Sequence, residues 1–62
     1  MTFEIIDKES GNSVAAFDSQ DEATEYLAST VKDDPAEADV LVLMGFDEAG
    51  QAVKTWAAKE LF

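Results

Sequence analysis

The chain has no cysteine and no histidine. Without cysteine, neither a disulfide nor a thiolate zinc site can brace it. Without histidine, it lacks the commonest metal ligand and the commonest general base near neutral pH. Arginine is missing as well, so four lysines are the only cationic side chains. No apolar run approaches the roughly 18 residues that a membrane span needs, and no membrane role is expected. There is no Gly-rich phosphate loop. Serines and threonines have no histidine to activate them, and no lysine stands beside an obvious nucleophile. These absences argue against an enzyme, and no cofactor is expected.

What is abundant is acid. Fourteen Asp and Glu oppose the four lysines, for a net charge of −10. A surface of that sign repels phosphate backbones and anionic lipid, which argues against direct nucleic-acid binding. Solubility, a halophilic host and mimicry of nucleic acid could each account for it. Solubility is the plain reading, and lysine as the sole cation runs against the usual halophile pattern. The densest acidic stretch is Asp33, Asp34, Glu37 and Asp39, around the single proline. It reads as a solvated acidic surface that could meet a basic partner. Asp7 to Asn12 faintly resembles a calcium loop, but Gly11 stands at the fifth position and Asp18 where a bidentate Glu belongs. No metal is expected there.

Sixty-two residues, 47% of them apolar, make one domain spanning residues 1–62. So short a chain buries only about 60% of its unfolded surface, and its stability is marginal. The start of the chain, Met1-Thr2-Phe3-Glu4, is acidic and lacks the basic segment of a signal peptide. A cytoplasmic protein is expected.

The stretch from Val40 to Met44 is apolar without a break, and Phe46 follows after Gly45. A half-buried strand would show a polar residue at every second position. This one shows none, so it reads as a central strand apolar on both faces. Residues 2–7 alternate, with Phe3 and Ile5 on one face and Glu4 and Ile6 on the other. Gly11 and Asn12 provide turn chemistry, and residues 13–17 return as the second strand of a hairpin.

Ser19 followed by Glu22 starts a helix. Ala23, Tyr26, Leu27, Thr30 and Val31 form its apolar stripe, and Pro35 ends it. Asp47 to Gly50 forms a second turn. Residues 51–57 read as a strand; a helix from Ala52 is the competing reading, because Val53, Trp56, Ala57 and Leu61 also fit a helical stripe. Residues 59–62 can add a last helical turn. The two hairpins echo each other from Asp7 and from Asp47, with Phe17 and Trp56 at the same offset from Val14 and Val53. This reads as similar turn chemistry used twice.

The elements give an α+β fold, ββαββ, with a four-stranded antiparallel sheet in the order 2-1-3-4 and one helix on one face. Phe3 and Ile5 should face the helix, since Glu4 does not belong in a helix-covered core. If alternation holds, Ile6, Phe17 and Trp56 join the apolar side chains of the third strand on the other face. One helix cannot cover both faces, and a bare patch of that kind exceeds what monomers usually expose. The expected cover is a second copy of the chain, the C-terminal Leu61 and Phe62, or another protein. The expected partner interface is Ile6, Phe17, Trp56 and Phe62, in a homodimer packed sheet on sheet.

Ser10-Gly11-Asn12, Glu22-Ala23, Ala38-Asp39-Val40-Leu41-Val42-Leu43 and Asp47-Glu48-Ala49-Gly50 together resemble a family of small, mostly actinobacterial proteins of unknown function. The resemblance spans most of the chain and implies one compact ββαββ unit with no activity attached. That family's pattern ends in a Gly-containing segment before a final Leu, where this chain has Ala57-Ala58-Lys59-Glu60-Leu61. Asp18 to Ala23 is also similar to the helix start of small antitoxin domains, but their early strand and DNA-binding tail have no counterpart here. The functional expectation is a non-catalytic interaction or scaffold protein. The rival is an acidic inhibitor, antitoxin-like or phage-type, that blocks a basic partner.

Overall fold

The computed structural model describes residues 1–62. Strand β1 covers Thr2–Asp7 and β2 covers Asn12–Phe17. Helix α1 runs Gln20–Asp33 and is followed by a 3-10 segment, Pro35–Asp39. Strands β3, Leu41–Phe46, and β4, Ala52–Ala57, precede a four-residue helix α2, Ala58–Leu61. The sheet order is β2-β1-β3-β4, and every neighbouring pair is antiparallel. Residues 52–57 are therefore strand, and helix begins only at Ala58.

Local chemistry explains the element boundaries. The Ser19 hydroxyl accepts the Glu22 amide at the start of α1, relieving one of the unpaired donors of a first helical turn. Asp21 and Glu22 stand where the helix dipole favours anions, and Lys32 where it favours a cation. At the other end, Asp34 is extended, as the residue before a proline must be. Its carboxylate then accepts the Ala36 amide and starts the 3-10 segment.

Both hairpin turns are built on an aspartate and a glycine, the first one residue longer than the second. The Asp7 carboxylate accepts the Glu9 amide at 2.9 Å, and the Gly11 amide donates to the Asp7 carbonyl at 2.7 Å. The Asp47 carboxylate accepts the Ala49 and Gln51 amides at 2.9 Å, and the Gly50 amide donates to the Asp47 carbonyl at 3.0 Å. Gly11 and Gly50 sit at φ 77° and 81°, a region glycine enters without steric cost.

The likeness continues past the turns. Val14 is skipped between the Ile6–Ser13 and Ile5–Ala15 pairs, and Val53 between Phe46–Ala52 and Gly45–Lys54. Each edge strand thus carries a one-residue bulge at a valine. The equivalent residues of the two hairpins are related by an approximate two-fold normal to the sheet, with the Glu4–Met44 pair at its centre.

The core lies between the sheet and α1. Ile5, Leu43, Ala23 and Leu27 are fully buried, and Phe3 and Leu41 nearly so. Ala58 of α2 is fully buried in the same cluster, and Leu61 packs against it. The C-terminal segment therefore closes the core on the helix side and does not cross to the other face.

A candidate interaction face

Side chains directly opposite each other in an antiparallel sheet share a face. The core face carries Phe3 and Ile5 of β1 with Leu41, Leu43 and Gly45 of β3. The other face carries Glu4 and Ile6 of β1 with Val42, Met44 and Phe46 of β3. Ala16 flanks it on β2, and Thr55 and Ala57 flank it on β4. Ile6, Val42, Met44 and Phe46 are half-buried by one another and by the neighbouring strands. No element of the chain lies over them, since α1, α2 and the 3-10 segment contact one another or the strands around the core. Glu4, also half-buried, is the one charged side chain among them.

Of the four residues expected at the interface, only Ile6 lies on this open face. Phe17 and Trp56 lie on the core face. The register pairs Phe17 with Phe3 and Trp56 with Leu43, and both rings pack against the core cluster. Phe17 also meets Tyr26 of α1 with ring centroids 5.4 Å apart. Lys54 extends over the Trp56 ring, its Nζ 5.9 Å from the centroid.

The bulges explain the difference. A regular ladder continued from the Asp7–Asn12 pair would set Phe17 opposite Thr2, on the open face. One extra residue at Val14 turns it over, because a one-residue slip moves every later side chain to the other surface. Val53 does the same for Trp56, which a regular ladder would set opposite Val42. Phe62 follows α2 and is 53% exposed, at the end of an element that packs on the 3-10 segment and β4.

Without Phe17 and Trp56, the open face consists of Ile6 and the third-strand side chains Val42, Met44 and Phe46. Their signal in the sequence is the missing polar face of the central strand. Alternation with Phe3 and Ile5 is enough to set Glu4 on this face, but its position opposite Met44 depends on the β1–β3 register.

The acidic stretch has a structural role of its own. Asp34 caps the 3-10 segment, Glu37 accepts the Val40 amide through its carbonyl, and Asp33 ends α1. Asp39 closes the segment and is exposed. These carboxylates do not converge into a group able to hold a metal ion. No pocket opens on the molecule, and no helix is long and apolar enough to cross a membrane. No known protein family, curated protein or solved structure matches the chain.

Proposed function

We propose that this chain is a small, non-catalytic interaction module whose working surface is the open face of its sheet. The observation that carries this reading is the contiguous set Ile6, Val42, Met44 and Phe46, which nothing in the chain covers. A flat apolar surface without a pocket suits a macromolecule better than a small ligand. The charge distribution favours the same surface. Thirteen of the fourteen acidic residues lie in the turns, in the helices and around Pro35, or at the strand end at Asp7, and Glu4 alone is on this face. A docking surface depleted of charge within a charged surround has the composition of an interface core.

Polar substitution tests the reading. Met44→Thr and the double variant Val42→Thr/Met44→Thr should leave the fold intact, since threonine suits a strand and sets no second carboxylate opposite Glu4, while weakening association through the face. Circular dichroism checks the fold, and light scattering and binding assays check association. Association unchanged in both folded variants would contradict the proposal.

A second reading makes another copy of the chain the occupant, in a sheet-on-sheet homodimer. The bulges at Val14 and Val53 favour it, because they spoil both sheet edges for strand addition and leave face-to-face contact as the route to self-association. Its test is a molar mass near twice 6.7 kDa that holds on dilution. The acidic-inhibitor reading differs from both in resting on the charged surround without the apolar face, and its association would be lost at high salt.

A further inference from the structure

We infer that the open face receives a different protein, one whose docking surface sets a single lysine or arginine within an apolar patch, and that Glu4 pairs with that cation. The inference rests on the open face being the working surface, and it specifies the partner. Glu4 stands opposite Met44 at the middle of the central strand pair. A partner cannot cover Ile6, Val42, Met44 and Phe46 without covering Glu4 too. A carboxylate removed from water without a counter-charge is among the costliest groups an interface can bury.

A second copy has no suitable cation to offer. Lys54 is on the core face, over Trp56. Lys32 belongs to α1 and Lys59 to α2, both behind the sheet. Lys8 continues the β1–β3 ladder, its amide donating to the Val40 carbonyl one same-face step past the Ile6–Val42 pair, so it stands at one end of the face, four residues along the strand from Glu4. A symmetric face-to-face pair would set each Glu4 against the other copy's apolar side chains or against its Glu4. The wider charge pattern points the same way. Glu9 stands beside Lys8 in the turn at one end of the sheet and Glu48 in the turn at the other, while the Asp7 and Asp47 carboxylates accept turn amides. Such a surround draws a basic surface in and repels a copy that also carries −10. The expected occupant is an apolar surface with one central cation and a basic rim.

The test is a peptide-display selection against the folded wild-type chain, followed by affinity measurements on the recovered peptides. Glu4→Gln keeps thirteen of the fourteen acidic residues, so general attraction to basic peptides is nearly unchanged in it. The expected binders carry Lys or Arg flanked by apolar residues. They should bind Glu4→Gln at least about tenfold more weakly, and bind the double variant Val42→Thr/Met44→Thr, which trims the apolar patch and leaves Glu4 in place, more weakly as well. Glu4→Asp, which keeps the charge on a shorter stem, should retain part of the affinity. Binders without a basic residue, or binders indifferent to Glu4→Gln but weakened by Val42→Thr/Met44→Thr, would overturn the pairing and leave the open face standing. Binders indifferent to Val42→Thr/Met44→Thr as well would overturn the face itself. A wild-type chain that is already a stable dimer through this face would replace the foreign partner with a second copy.

Discussion

Glu4 and Met44 face each other across the two central strands, on the side of the sheet that no helix covers. Their chain neighbours Phe3, Ile5 and Leu43 point the opposite way, into the core. Adjacent residues therefore face different surroundings, the core on one side and the uncovered face on the other. Leu43 is fully buried, so Leu43→Ala should cost about 2–5 kcal/mol. For a domain that musters only about 3–5 kcal/mol, that is enough to unfold it. Met44→Thr should cost about 1 kcal/mol or less, because threonine suits a strand and loses little packing there. Urea unfolding of the two variants checks the contrast. Equal costs would mean that the open face is covered in the folded chain.

Val14 and Val53 are the extra residues of the two bulges. Deleting Val14 regularises β2 while keeping Phe17 opposite Phe3, so the core contact survives. The stability change should be small, about 1 kcal/mol or less. The straightened edge, however, becomes a template for strand addition. Deleting both valines should produce a folded chain that aggregates as its concentration rises, read by light scattering alongside thermal unfolding. Loss of fold after deletion of Val14 alone would contradict the pairing of Phe17 with Phe3 across a bulge.

These bulges also mark the limit of what the sequence reveals. The four strands, their order and the α1 stripe, apart from the exposed Tyr26, follow from alternation, from Ser19 and Pro35, and from the unbroken apolar run at Val40 to Met44. The faces of β1 and β3 follow as well, because Glu4 between Phe3 and Ile5 admits one orientation. The faces of Phe17 and Trp56 do not. Each depends on one inserted residue whose sequence neighbours, Ser13-Val14-Ala15 and Ala52-Val53-Lys54, read equally well in a regular strand. The pairing energy that selects the bulge comes from burying an aromatic ring against Phe3 or Leu43, a contact distant in sequence.

Gly11 and Gly50 occupy the left-handed region, and a methyl group added to either would meet nothing within 4 Å. The cost of Gly11→Ala or Gly50→Ala is therefore conformational alone, about 1–2 kcal/mol each. The two turns lie at opposite ends of the sheet, so the costs should add in the double variant. Asparagine at either site should recover part of the loss. Thermal melts of the series check this, and a cost near zero would exclude the positive φ.

Gly45 is different. A methyl group there would stand 3.1 Å from the Phe3 ring and 3.3 Å from the Met1 side chain. Gly45→Ala should cost about 1–3 kcal/mol through overpacking. Combined with Phe3→Leu, it should cost less than the sum of the two single changes, because the smaller side chain makes room. Simple additivity in a double-mutant cycle would show that the two residues do not touch.

The solution molar mass of the wild-type chain and of Glu4→Leu, measured by light scattering over a wide concentration range, bears most directly on the claim that Glu4 determines what the open face accepts. The wild-type chain should remain a monomer of 6.7 kDa, and Glu4→Leu should shift toward a dimer once the carboxylate no longer interrupts the apolar surface. A wild-type dimer that persists on dilution, or a Glu4→Leu variant that stays monomeric at the highest concentrations, would contradict it.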